Sequence, residues 1–112
     1  MSSQEETSKV YLVNDGQHDY SAAKKFGELC YMTKRFINKL QVTQIARTFA
    51  PFIKGSKPTD YILQGGPNVM LSIACAQFAL RHGRLNLLVF KDDEYHKRTI
   101  VFERREDEDP TA

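Results

Sequence analysis

Four short apolar runs, "KVYLV", "ELCYMT", "DYILQ" and "LNLLVF", alternate with stretches whose apolar residues recur at helical spacing. That alternation constrains the fold more than any other feature of the chain. Strands separated by helix-length segments pair in parallel, because only a long crossover returns the chain to the same end of the sheet. Runs that are apolar without interruption suit strands covered on both faces. The spacing predicts β-α-β-α-β-α-β-β, with strands over 9–14, 28–33, 60–64, 85–90 and 95–102. The expected fold class is α/β, a small Rossmann-like or flavodoxin-like three-layer sandwich. Its sheet is mostly parallel, of order 2-1-3-4-5, with a C-terminal antiparallel edge strand.

The helices are read from caps and periodicity. Asp19 or Ser21 caps a helix over "YSAAKKFG", with Ala22, Ala23 and Phe26 on one face and Gly27 as the left-handed residue past its end. Thr43 is the expected N-cap of "QIARTFAPFIK", in which Ile45, Phe49 and Phe52 or Ile53 share a face. Pro51 predicts a kink or break there, since an interior proline removes a hydrogen bond and crowds the preceding turn. Pro67 suits the first turn of "NVMLSIACAQFALRH", and Gly83 closes it. This helix is apolar nearly all round, so it needs cover from the sheet and from another helix or a second subunit. A homodimer through it is the expectation. "KDDE" (91–94) is a tight hairpin, and His96, Lys97 and Arg98 make the last strand polar enough to discourage edge pairing.

In an open α/β sheet ligands bind beyond the carboxyl ends of the strands, where the strand order reverses. Here that point lies between the loops "NDGQHDY" and "QGGPN". The first offers Asp15, His18 and Asp19 as candidate catalytic groups, a base, an acid and an orienting carboxylate, or as holders of a divalent ion. A plain turn and cap explain Asp15 and Asp19 equally well. Asn14, Gln17 and Tyr20 from the first loop, with Gln64, Gly65, Gly66 and Asn68 from the second, are the expected ligand-binding set. Gly65 and Gly66 allow close backbone approach, and the helix opening at Pro67 presents free N–H groups to an anion. Neither G-x-G-x-x-G nor the P-loop pattern occurs, so no nucleotide cofactor is expected. No metal is expected either, as no His/Cys group has zinc spacing.

The net charge of +2 conceals a split. Residues 10–102 hold thirteen basic and seven acidic side chains, whereas "ERREDEDPTA" (103–112) is acidic and reads as disordered, as do residues 1–8. A basic body favours anionic partners. Lys24, Lys25, Lys34, Arg35 and Lys39, with Tyr31 and Phe36 among them, would support sequence-indifferent nucleic-acid binding, though no nucleic-acid motif is present. No apolar run reaches the ~20 residues of a membrane span. No leader pattern opens the chain, and Cys30 and Cys75 lie unpaired in apolar runs. The expected setting is a reducing cytoplasm.

The strings "HDYSAA" with "FGEL", and "HGRLNLLVFKD", resemble small α/β proteins of unassigned function encoded by tailed bacteriophages and related mobile elements, over residues 9–102. The resemblance implies an accessory protein in an infected bacterial cytoplasm, and carries no catalytic residue with it. Three functions fit. The first is a non-catalytic protein that modulates a host macromolecule or sequesters a small anionic, nucleotide-like ligand. The second is a small enzyme on nucleotides or phosphodiesters at the switch point. The third is a nucleic-acid-associated protein using the basic body.

Overall fold

The computed structural model describes residues 7–16, 18–34 and 36–103. Expectations for Gln17, Arg35, residues 1–6 and residues 104–112 lie outside these. Five strands, β1 (Lys9–Leu12), β2 (Glu28–Tyr31), β3 (Tyr61–Leu63), β4 (Arg84–Lys91) and β5 (Glu94–Val101), form one sheet of order β2-β1-β3-β4-β5. All pairs are parallel except β4–β5. The sheet therefore has a lower edge, where β1 to β4 begin, and an upper edge, where they end.

Alternation along the strands divides the core in two. Tyr11, Val13, Met32 and Ile62 point to one face, where α1 (Val42–Lys54) contributes Ile45, Phe49 and Ile53 and α2 (Asn68–His82) contributes Met70, Ala74 and Phe78. Each helix thus buries a stripe at i, i+4 and i+8, as amphipathic packing demands. Gln77 ties the two helices together through Nε2 to the Ala46 carbonyl at 3.0 Å. The sheet and α1 take most of the apolar girth of α2, leaving Val69 and Leu80 in solvent. Val10, Leu12, Leu63 and Leu88 point to the other face, under Tyr20, Ala23 and Tyr95.

The cover of that second face departs from expectation. Residues Ser21–Phe26 form a 3-10 helix, not an α-helix. With three residues per turn, Tyr20, Ala23 and Phe26 align, so Ala23 is buried while Ala22 is exposed. Gly27 does not adopt the αL conformation of a helix end; its φ of 156° with ψ 178° is a positive-φ backbone that favours glycine. Close approach requires glycine as well, since a Cβ there would run into the Ser8 carbonyl.

Three further boundaries are corrected. α1 starts at Val42 behind Gln41, so Thr43 lies inside the helix and does not cap it. A turn closed by the Gln41 N–H on the Asn38 carbonyl (3.0 Å) launches it two residues early. The helix also runs through Pro51 to Lys54 without a break. Pro51 and Arg47 are both exposed, so the carbonyl that loses its donor lies on the wet side. Pro67 stands just before α2, with extended ψ, and Asn68 opens the helix. Gly83 ends it in the left-handed region (φ 71°), as expected. The β4–β5 turn places Asp92 and Asp93 at φ 54° and 66°, the two positive angles of a type I′ hairpin.

At the lower edge a buried polar network joins the elements. The Asp60 carboxylate, 1% exposed, accepts the Lys9 N–H (2.9 Å) and the Lys57 N–H (2.8 Å). Asn86 donates to the Pro58 and Asp60 carbonyls at 2.7 and 2.8 Å and accepts from the Thr99 hydroxyl at 2.9 Å. The Ser56 hydroxyl donates to the Ile53 carbonyl (2.6 Å) and meets His82 Nε2 at 2.7 Å, closing the ends of α1 and α2 on each other. Because the hydroxyl proton is spent on Ile53, the network assigns the His82 proton to Nε2.

Candidate functional site

The upper edge is assembled from the ends of β1, β2 and β3. Thr33 Oγ1 donates to the Val13 carbonyl (2.6 Å) and accepts from Asn14 Nδ2 (2.7 Å), while the Asp15 N–H donates to the Thr33 carbonyl (3.2 Å). Asn14 Oδ1 accepts the Gly16 N–H at 2.9 Å, so the loop after β1 opens with an Asx turn. Asp19 Oδ1 accepts the Ser21 N–H at 2.9 Å, an Asx turn that leads into the 3-10 helix, whose N-cap position is Tyr20. That backbone bond, followed by the Ser21 hydroxyl and Lys24, holds its carboxyl below the ordinary carboxylate range.

Tyr20 is buried, and burial, with Tyr31 nearby, pushes its phenol upward. Its ring lies against the glycine turn: a Cβ on Gly65 would stand 3.1 Å from Tyr20 Cε1 and 3.0 Å from Leu63 Cδ2. Gly66, at φ 102°, would place a Cβ 2.8 Å from Val13 Cγ2. Gly66 is therefore required by the chain's own packing and backbone, while a Cβ at Gly65 would crowd Leu63 and Tyr20.

Two adjoining grooves open above this frame. One, of about 350 Å³, is lined by Asn14, Gly16, His18, Tyr20, Gly66 and Pro67. The other, of about 260 Å³, shares His18, Tyr20 and Gly66 and adds Asp19, Gly65, Phe90 and Tyr95. The two loops singled out in the sequence do meet, and His18 lies between the grooves. Its ring is 6.0 Å from that of Tyr20.

Three candidates sit elsewhere. Gln64 turns its amide to the Ile62 carbonyl (3.3 Å) and Cys75 Sγ (3.7 Å). Asp15 and Asn68 line neither groove. Phe90 and Tyr95, whose rings are 4.9 Å apart, were missed by sequence reasoning. The two-residue turn held the signal, since it sets Phe90 opposite Tyr95. Among the described residues no group of three or more His, Cys, Asp or Glu is arranged to hold a metal.

Two other surfaces stand open. A groove of about 540 Å³ lies along Lys24–Leu29, and every charged group on it is exposed. The segment between β2 and α1 is more distinctive. Phe36 is 92% and Leu40 86% exposed, beside a cleft of about 230 Å³ that includes Ile37 and Ile45. No acidic residue occurs from Leu29 to Thr59, a stretch with six basic ones.

Fold and site together define an α/β protein with an open polar and aromatic groove at the reversal of its strand order. The chain belongs to the phage Pam3 gp32-like protein family, whose sequence model matches residues 4–103. This bears out the resemblance to small phage-encoded proteins of unassigned function. No curated protein and no solved structure matches the chain. Among the described residues no helix is long and apolar enough to cross a membrane.

Proposed function

We infer that the protein is a non-catalytic, phage-encoded binding protein that holds a small anionic, nucleotide-like ligand at the upper edge of its sheet. The observation that carries this reading is the groove of Asn14, Gly16, His18, Tyr20, Gly66 and Pro67, formed by both loops of the switch point. Strand order 2-1-3-4-5 with helical cover on either face is that of a reduced flavodoxin-like, Rossmann-like three-layer sandwich. Such sheets take ligands at this position. His18 and Phe90 offer ring faces, and the start of α2 offers unpaired N–H groups to an anion. The Asp19 carboxylate already holds the Ser21 N–H and Asp15 stands outside the groove, which favours binding over acid–base turnover by that trio. The place of action is the cytoplasm of the infected cell.

The test is a thermal-shift panel of mono-, cyclic and dinucleotides, with and without magnesium, on the wild type and His18→Ala. A ligand at one hundred times its Kd stabilises by about 2.7 kcal/mol, a shift of several degrees for a domain of this size. Stabilisation of the wild type alone supports the reading. Flat curves overturn it and favour a host macromolecule as the target. For that second reading the specific observation is the exposed Phe36 and Leu40 in their acid-free, basic surroundings. A nucleic acid can pair with the cations and stack on Phe36, but leaves Leu40 uncovered, so an acidic protein surface fits better.

A further inference from the structure

We propose that two copies of the chain pair through β5, antiparallel about a two-fold axis at Ile100, so that two five-strand sheets become one. This is independent of the groove. β5 is the outermost strand of the sheet and runs for eight residues. Its exposed apolar side chains gather at its lower end, where Ile100 is 44%, Val101 68% and Phe102 47% exposed. The two-residue turn closes on the pair Lys91–Glu94. By the alternation of an antiparallel ladder, the backbone groups of Tyr95, Lys97, Thr99 and Val101 then face away from β4. The Lys97 carbonyl accepts the Arg98 guanidinium at 2.7 Å, a bond that a partner strand would displace. Edge backbone next to uncovered apolar surface is what a strand partner satisfies.

Charge selects the partner and the register. Residues that face each other across an antiparallel pair must lie on the same side of the sheet, so a two-fold axis falls on a residue. With the axis on Ile100, Thr99 faces the partner's Val101, Arg98 faces the partner's Phe102, and Lys97 faces the partner's Glu103. With the axis on Arg98, like charges meet. With the axis on Thr99, Glu103 faces Tyr95 and finds no cation. Lys97, which repels an arbitrary strand, is thus complemented by Glu103 of a second copy while Arg98 meets Phe102 and no like charge, and a guard against aggregation becomes a determinant of specificity. In the single chain the Lys97 ammonium rests 5.7 Å from the Tyr61 ring centroid, and it is exposed.

Sedimentation velocity on the full chain, from 1 to 200 µM, tests the proposal together with three variants. A species of twice 12.9 kDa is expected in the upper part of that range. Ile100→Lys sets two ammonium groups on the axis, and Glu103→Lys sets cation against cation. Each should weaken association at least tenfold while circular dichroism and the melting temperature stay near those of wild type. Ile100→Cys should form a disulfide-linked dimer under mild oxidation. A facing pair without ladder bonds has its Cα atoms ~4.5 Å apart, within disulfide reach. Wild type, with Cys30 and Cys75 half-buried, should not link. A single-chain mass at every concentration overturns the proposal. So does a dimer that resists Ile100→Lys, or one that Ile100→Cys leaves unlinked.

Discussion

At the lower edge of the sheet Asp60 and Asn86 are each 1% exposed and anchored by short hydrogen bonds to backbone on neighbouring segments. At the upper edge His18 and Asp19 carry the same kinds of polar chemistry but stand in solvent beside open grooves. The difference separates two uses of polarity. Buried and saturated groups fix one arrangement of the chain, because any loss leaves a desolvated partner unmade. Exposed groups on a frame held from beneath are available to something else. The proposed ligand site lies above, and the frame below holds the segments from which its loops rise.

The contrast is sharpest at Asp60. Asp60→Ala would strip two backbone N–H groups of their acceptor, and a loss of about 3 kcal/mol is expected in urea unfolding. A loss below 1 kcal/mol would show that water replaces the carboxylate there and would break the distinction. Next is Gly66→Ala, an upper-edge change with a structural cost. A positive φ and the Val13 contact together should remove about 2 kcal/mol. If the variant is instead as stable as wild type, the two loops are not locked together.

A smaller effect is set by pH. Burial, and then Arg81, hold the His82 imidazole below its ordinary value of 6.5, against a weaker upward pull from Asp60. The unfolded chain therefore takes up a proton before the folded one does. Stability should fall as pH drops through 6.5 towards the folded value, and level off below it. Melting temperatures between pH 7.5 and 5 should decline more steeply for wild type than for His82→Gln. Asp19 is also shifted downward, and its contribution is lost only as pH falls below its ordinary 3.8, outside that window. The smallest expected effect is that of His18→Ala on folding, within about 0.5 kcal/mol, as for other exposed positions. A larger loss would turn His18 into part of the frame.

Much of this architecture is legible in the residues. The strand order follows from continuous apolar runs and the sense of their crossovers, and the stripe Ile45, Phe49, Ile53 follows from its period. The meeting of "NDGQHDY" and "QGGPN" follows from where that order reverses. What escaped the reading depended on contacts distant in sequence. Nothing local distinguishes a 3-10 turn from an α-turn over Ser21–Phe26; the alignment of Tyr20, Ala23 and Phe26 over β1 decides it. Gly27 carries the signature of a helix end, but its cause is the passage of Ser8. Gln64 sits in a candidate loop, yet α2 takes its side chain through Cys75. Asp60 gives no hint in sequence that its carboxylate will be the best-buried acid of the described chain.

The central place of β1 has a consequence for how the chain comes to be made. It is the first strand to be synthesised, and it is flanked in the finished sheet by β2 on one side and β3 on the other. Its partner Tyr61 lies some fifty residues downstream of Val10. During translation at about 5–20 residues per second, the stickiest apolar run must therefore wait several seconds with one flank bare. A chaperone that intercepts nascent "KVYLV" would control the yield of this protein, and a fusion that delays the arrival of β3 would lower it.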